Sequence, residues 1–290
     1  MEYTMYNRFN AMLAEKGACE TAEYACRMGF SSVEVLEFTA PDRPKEIPDR
    51  KAAAEVRRIL ESHGLRTACY SVGTCIWLPE PGENPAEESL KKQAEIAAEL
   101  GSPFLHHTLI PWLRLPENAP ERLSAIEQVT ETAARIARYA APLGVTCIYE
   151  DQGLYCNGVE SFGLFFREMK NRCSNVGVCG DVGNILFVDE EPVPFFEAFA
   201  RDIVHVHIKD YLRQTVPASP GPEWLLTKGG NWLRDAMVGD GVIDFAGCVR
   251  ILKEAGYDGA LGMELSHPEP FDEGVRRGME YLNRLWRENP

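Results

Sequence analysis

The sequence lacks the features that mark several large classes of protein. Its lysines and arginines do not cluster, and 44 acidic residues against 30 basic ones give a formal net charge of −14. A surface of this charge repels phosphate groups, so we expect neither nucleic acid nor an anionic membrane as a partner. Uncharged runs such as residues 67–79 are too short to cross a bilayer.

The nine cysteines are odd in number and form no C-x-x-C pair. This pattern fits a reducing compartment better than a disulfide framework or a zinc cage. The first four residues contain neither the cationic region nor the apolar run of an export signal. We therefore expect a cytoplasmic protein. No G-x-G-x-x-G or Walker sequence follows a predicted strand, which excludes the commonest nucleotide-binding motifs.

Short apolar runs alternate along the chain with segments in which apolar residues recur at helical spacing. The predicted strands are residues 3–6, 32–38, 66–70, 103–107, 145–150, 176–181, 203–209 and 260–265. Helices are predicted at residues 49–63, 85–100, 121–141 and 245–255, with Gly64, Gly101, Gly144 and Gly256 as left-handed caps. Eight βα units close a barrel, so the sequence predicts an α/β fold, a single (β/α)8 TIM barrel over residues 1–290.

The segment 211–241, after the seventh strand, is long, polar and interrupted by proline and glycine. Connections of this length are usually functional. We expect a lid that brings Arg213, with Trp224 or Trp232, to a substrate. The alternative is that the tryptophans lie in a subunit interface, which leaves a homo-oligomer open.

The fifth to eighth strands each end in a carboxylate or an imidazole, and the four residues are Glu150, Asp181, His207 and Glu264. Reactive groups of a TIM barrel lie where strands end, and period-two alternation points these four inward. Each could be a solvated rim charge, but three carboxylates facing one another need a cation. An oxygen-rich set with one nitrogen suits Mn²⁺ first, with Mg²⁺, Co²⁺, Fe²⁺ or Zn²⁺ as alternatives.

The same strand ends carry a family resemblance. The relevant stretches are residues 145–151, Gly-Val-Cys-Gly-Asp-Val-Gly-Asn at 177–184, His-Val-His-Ile-Lys-Asp at 205–210, Gly-Asp-Gly at 239–241 and Gly-Met-Glu at 262–264. They resemble the sugar phosphate isomerase/epimerase superfamily of xylose-isomerase-like barrels, which includes ketose 3-epimerases and inosose dehydratases. The resemblance implies that Glu150, Asp181, His207 and Glu264 are metal ligands, and it extends to the second strand.

The resemblance also implies substrate-binding roles for Arg213, Lys209 and Asn184. Asn184 stands where the family usually has the histidine of D-x-x-H, and an amide cannot carry a proton. Cys156 stands where ketose 3-epimerases have a second glutamate. These two positions depart from the strict ketohexose 3-epimerase pattern.

Two further candidate substrate contacts are His107 and Trp112. His106 and His107 end the fourth strand, so alternation turns one of them inward, and we take His107 as the substrate residue. A buried packing histidine is the alternative. Trp112 lies in a predicted βα loop, where an aromatic face can stack on a sugar.

The sequence therefore predicts a metal-dependent isomerase or epimerase of a sugar or keto-sugar derivative. Glu150 and Glu264, on opposite sides of the cation, would move the proton of an enediolate intermediate. The same intermediate can lose a hydroxyl group, so a dehydratase or lyase of the inosose dehydratase or 3-keto glycoside type is the alternative. A non-catalytic sugar-binding barrel is a third reading.

Overall fold

The computed structural model describes residues 1–37, 50–80, 82–265 and 271–288. Eight parallel strands in these ranges close into a barrel in the order β1-β2-β3-β4-β5-β6-β7-β11. The strands are β1 (Glu2–Met5), β2 (Ser32–Leu36), β3 (Arg66–Val72), β4 (Phe104–His107), β5 (Thr146–Glu150), β6 (Val176–Asp181), β7 (Ile203–Ile208) and β11 (Ala260–Met263). The predicted (β/α)8 TIM barrel is confirmed. Residues 38 and 49, at the ends of a predicted strand and helix, lie outside the described ranges.

Helices follow the strands and form the outer layer. They are α1 (Phe9–Met28), α2 (Arg50–Ser62), α3 (Pro85–Glu99), α4 (Arg122–Ala140), α5 (Val159–Arg172), α6 (Pro192–Phe199), α7 (Phe245–Glu254) and α8 (Phe271–Glu288). Side-chain caps begin several of them: Asn84 accepts from the backbone N–H of Ala86 before α3, and Asp244 accepts from that of Gly247 before α7. The glycines at 64, 101, 144 and 256 have φ values of 74, 70, 73 and 74°, as left-handed caps require.

The barrel interior has an apolar layer beneath its carboxyl end. Ile148 packs there with Cys69 and Cys179, and all three side chains are fully buried. Phe104 and Val204 lie against them. Because side chains two residues apart share a face of a strand, this layer sets which residues point inward above it.

Residues 211–241 differ from the expected loop because they carry a small antiparallel sheet. Its strands are β8 (Asp210–Gln214), β9 (Leu225–Leu226) and β10 (Trp232–Ala236), in the order β8-β10-β9. Asp189 accepts hydrogen bonds from Thr227 Oγ1 at 2.6 Å and from Asn231 Nδ2 at 2.7 Å, which ties the sheet to the segment after β6. The connection is long, as predicted, but it is folded.

The Gly-Asp-Gly sequence at 239–241 has a structural explanation. Asp210 Oδ2 accepts from the backbone N–H of Gly239 at 2.9 Å and from that of Gly241 at 2.8 Å. A Cβ at Gly241 would lie 2.1 Å from Asp210 Oδ1, so only glycine fits this close approach. These hydrogen bonds attach the turn, which follows β10 and leads toward α7, to the first residue of β8.

All nine cysteines are free thiols. Among the helices of the described ranges, none is long and apolar enough to cross a membrane.

Candidate active site

Four side chains meet at the carboxyl end of the barrel. Glu150, Asp181, His207 and Glu264 each offer one ligand atom, and these atoms lie within 4.8 Å of one another. They lie at or next to the carboxyl ends of β5, β6, β7 and β11, which are successive neighbours around the barrel. The structure thus brings together the four residues that the sequence predicts as metal ligands.

The imidazole of His207 stands at the centre of this group. Its Nδ1 lies 3.0 Å from Glu150 Oε1, 3.4 Å from Glu264 Oε2 and 3.8 Å from Asp181 Oδ2. Burial disfavours its charged form, but Cys179 and the carboxylates of Glu34 and Glu150 raise the pKa of His207 well above its ordinary value. Burial likewise opposes ionisation of Glu150, yet His207 and His106 hold its pKa well below the usual range.

Asp181 has one oxygen bound to the backbone and one directed at the group. Oδ1 accepts from the N–H groups of Gly183 and Asn184, each at 2.7 Å. Burial raises the pKa of Asp181 to about 8; Lys209 offsets part of this effect, and Glu150 and Glu264 add to it. The buried carboxylate is costly to ionise without a cation nearby.

The donor set fits a hard divalent cation. The Oδ2 of Asp181 and the Oε2 of Glu264 are buried and form no hydrogen bond of good geometry within the described ranges, and the ammonium of Lys209 faces both oxygens at 2.9 and 2.8 Å. Both oxygens lie near the Nδ1 of His207, and three carboxylates with one imidazole match the ligands that Mn²⁺ or Mg²⁺ prefers.

Lys209 brings a second positive charge to the site. Its Nζ lies 2.9 Å from Asp181 Oδ2 and 2.8 Å from Glu264 Oε2. Burial opposes this charge, but Asp181 and Glu264 raise the pKa of Lys209 well above its ordinary value. Asn184 links the ammonium to Glu150, because its Oδ1 accepts from Lys209 at 3.2 Å and its Nδ2 donates to Glu150 Oε1 at 2.9 Å. Both predicted substrate residues therefore lie within the site.

Two residues that contact His207 are not among the predicted site residues. Glu34 on β2 is fully buried, and its Oε1 and Oε2 lie 3.0 and 3.2 Å from His207 Nε2. Tyr6, just after β1, stacks on the imidazole at a centroid distance of 4.8 Å and an interplanar angle of 20°. The available signal was a glutamate flanked by Val33 and Val35 in a predicted strand, where alternation puts it opposite two outward-facing valines.

The structure corrects the choice between the two adjacent histidines. His106 faces the interior, with Nε2 3.3 Å from Glu150 Oε2 and Nδ1 3.1 Å from Ser71 Oγ. His107 points to the opposite side of β4, where its ring packs edge-on against Tyr149 and is fully buried. Burial lowers the pKa of His107 to about 4. It is a packing residue between barrel and helices because neighbouring residues of a strand face opposite ways.

The other predicted substrate residues lie farther out. Arg213 on β8 donates to Glu191 Oε1 at 2.7 Å, so its guanidinium is engaged next to the start of α6. Trp112 packs edge-on against Trp77 and Tyr155, with centroid distances of 5.3 and 5.8 Å, and forms an aromatic group in the βα loops. The Trp224 ring stacks under the guanidinium of Arg234 at 5.0 Å.

The sequence model of the family described as Xylose isomerase-like TIM barrel matches residues 22–285. An inosose dehydratase from Clostridium botulinum (strain Eklund 17B / Type B) is 30% identical over 101 residues, which are 35% of this chain and 33% of that protein. The chain spans between about a third and about half the length of the curated relatives it matches.

Solved structures share the whole fold at low identity. D-psicose 3-epimerase with D-tagatose from Clostridium cellulolyticum H10 has a TM-score of 0.75 and 14% identity, covering 99% of both chains. A Xylose isomerase-like TIM barrel protein from Mycobacterium smegmatis, in complex with magnesium, has a TM-score of 0.72 and 15% identity, covering 99% of this chain and 97% of that one. The resemblance seen in the sequence is confirmed over nearly the full length. The chain belongs to the Xylose isomerase-like TIM barrel family.

Proposed function

We propose that this protein is a divalent-metal-dependent enzyme that isomerises or epimerises a sugar or keto-sugar derivative through an enediolate. The observation that carries the proposal is the meeting of Glu150, Asp181, His207 and Glu264, whose ligand atoms lie within 4.8 Å of one another. A module that only binds sugar has no need for two carboxylates that flank one buried imidazole. The epimerase among the structural neighbours supports the same class of reaction.

Glu150, Asp181, His207 and Glu264 would hold the metal, with Mn²⁺ first and Mg²⁺, Co²⁺, Fe²⁺ or Zn²⁺ as alternatives. The neighbour in complex with magnesium supports a divalent ion of this kind. When bound, such a cation supplies Lewis acidity that makes the proton beside a carbonyl group easier to remove.

Glu150 and Glu264 move the proton in this proposal. They approach His207 Nδ1 at 3.0 and 3.4 Å from strands on different sides of β7. One carboxylate removes the proton from the carbon beside the carbonyl, and the other returns it to the neighbouring position or to the other face. Asn184 and Lys209, which bridge Glu150 and Glu264, orient substrate oxygens beside these carboxylates.

Residues outside the metal cluster would shape the rest of the substrate pocket. Trp112, packed with Trp77 and Tyr155, offers an aromatic wall for the C–H face of a sugar. Arg213 would bind substrate oxygens if its guanidinium left Glu191. In this proposal the sheet of β8, β9 and β10 moves over the ligand and acts as the lid that the length of the segment predicts.

Dehydration is the second candidate. Loss of a hydroxyl group from the enediolate requires a proton for the departing oxygen, and the carboxyl group that has taken the proton from the carbon beside the carbonyl can pass it to that oxygen, which releases water. The Lys209 ammonium, 2.8 Å from Glu264, would stabilise the charge that develops on the departing oxygen. The inosose dehydratases among the curated relatives support this alternative.

Proton exchange in deuterated water tests both candidates. Purified protein with added Mn²⁺ is incubated with ketoses, inososes and 3-keto glycosides, and products are analysed by NMR and mass spectrometry. Isomerisation or epimerisation gives a product that carries solvent deuterium beside the carbonyl and has lost no water. Dehydration gives a product that is lighter than the substrate by one water molecule. A protein that binds one metal ion yet incorporates no deuterium into any of these compounds would favour the non-catalytic barrel.

A further inference from the structure

Glu34 is a fully buried carboxylate beneath the proposed metal ligands. It lies on β2, on the far side of His207 from Glu150. Its Oε1 accepts from Ser71 Oγ at 2.5 Å, and its Oε2 lies 2.7 Å from His205 Nε2. A buried charge with this many partners is held in one position.

The two ring nitrogens of His207 have different surroundings. Nε2 lies 3.0 and 3.2 Å from the two oxygens of Glu34, while Nδ1 faces Glu150, Glu264 and Asp181. The stacked Tyr6 ring fixes the plane of the imidazole. A ring flip exchanges Nδ1 with Cδ2 and Nε2 with Cε1, so it would take Nδ1 away from the carboxylates and Nε2 away from Glu34, and the arrangement favours a single orientation.

The barrel leaves little space for any other arrangement of these groups. A Cβ at Gly262 would lie 3.1 Å from Glu34 Oε2 and 3.2 Å from His207 Cδ2. The absence of a side chain at Gly262 therefore makes room for the contact between the carboxylate and the imidazole. His205 closes the other side of Glu34.

We propose that Glu34 is a positioning residue: its carboxylate accepts the Nε2 proton of His207 in a hydrogen bond, which makes Nδ1 the metal-ligating atom. This inference rests on the proposed metal dependence and adds a residue to the machinery that does not touch the metal. A carboxylate behind a ligating histidine fixes the tautomer and strengthens the ligand. Glu34 also contributes a buried negative charge near the cation.

The first experiment identifies the ligating nitrogen in the wild-type protein. Protein labelled with ¹⁵N at histidine is loaded with ¹¹³Cd²⁺ as a divalent probe, and cadmium–nitrogen coupling is measured by NMR. We expect coupling to Nδ1 of His207 and a proton retained on Nε2. Coupling to Nε2 would overturn the proposal.

The second experiment removes the charge of Glu34 and keeps its volume. In Glu34→Gln, we expect the affinity for Mn²⁺, measured by titration calorimetry, to fall by roughly 10- to 100-fold. Glu87→Gln is the matched control, because Glu87 is a buried glutamate on α3 that pairs with Arg135 and Lys91. Its affinity for Mn²⁺ should equal that of the wild type.

The outcomes separate this inference from the proposed function. If the wild type binds one ion through Nδ1 while Glu34→Gln binds as tightly, the role of Glu34 is wrong and the metal site stands. If Glu34→Gln loses one of two bound ions, Glu34 is itself a ligand and the positioning role is wrong. If the wild type binds no divalent ion, the proposed function fails and this inference fails with it.

Discussion

Two layers of the barrel interior, built on the same strands, have opposite chemistry. The lower layer contains Ile148 and Cys179, which are fully buried and pack together with Cys69. Two residues farther along the same strands, Glu150 and Asp181 bring buried carboxyl groups into the upper layer. The change from one layer to the other occurs within a single step of strand alternation.

The difference separates stability from function. Apolar burial in the lower layer stabilises the barrel. In the upper layer, burial raises the pKa of Asp181 to about 8, so the folded chain resists ionising this group. Such groups are expected where a barrel performs chemistry. Variants in each layer should therefore affect different measurements.

The largest effect is expected in the upper layer, from Glu150→Gln and Glu264→Gln. Glutamine keeps an oxygen for the metal but cannot accept a proton. Turnover of the substrate found by the exchange screen should fall roughly 10²- to 10⁴-fold, measured by steady-state kinetics. Glu87→Gln serves as the control for a buried glutamate on a helix. Near wild-type turnover in either active-site variant, with normal metal binding, would refute the two-carboxylate mechanism.

Asp181→Ala should weaken metal binding without unfolding the protein. The variant removes an anionic ligand of the proposed hard cation, so the affinity for the metal should fall by about 100-fold or more. This is a larger loss than is typical when a residue that only orients a ligand is removed. Elemental analysis after dialysis measures the occupancy, and circular dichroism checks the fold. Unchanged occupancy would remove Asp181 from the metal site.

Ile148→Ala tests the lower layer, where we expect a loss of stability without a change in metal binding. Truncating a fully buried isoleucine should cost about 2–5 kcal/mol in the free energy of unfolding, measured in urea. The affinity for Mn²⁺ should remain that of the wild type. A variant with the wild-type free energy of unfolding but a weakened affinity for Mn²⁺ would show that the two layers do not have separate roles.

The smallest effect concerns His107, on the outer side of the barrel. Its pKa of about 4 lies below the ordinary value of 6.5, so only the unfolded chain takes up this proton between those values. The contribution of His107 is complete above pH 6.5 and is lost as the pH falls toward 4, by about 2 kcal/mol at pH 5. Urea unfolding at pH 7.5 and pH 5 should show a smaller difference for His107→Gln than for the wild type. Equal differences would contradict this account.

Much of the fold follows from local pattern. The strand predicted at residues 176–181 is Val176–Asp181, and the helix predicted at residues 245–255 is Phe245–Glu254. Turn glycines and apolar periodicity are properties of neighbouring residues, so they can be read without a structure. The sheet β8-β10-β9 was not predicted, because its pairing depends on contacts between segments distant along the chain.

The four residues of the proposed metal site could also be predicted, since each is a polar residue near the end of an apolar strand. The inward face of β4 could not be read from two adjacent histidines, and His106 rather than His107 reaches Glu150. Glu34 was not predicted as a site residue, because a single glutamate in a strand usually faces solvent.

The sequence by itself determined the eight repeating units, the end of the barrel that carries polar residues and the four residues that meet there, because alternation and strand ends are local properties. Only the tertiary structure decided which groups face those four residues. Glu34 meets His207 because closure of the barrel sets β2 across from β7, and Lys209 reaches Asp181 and Glu264 from between their strands. Burial inside the closed barrel then shifts the pKa values, an effect that no local pattern of residues contains.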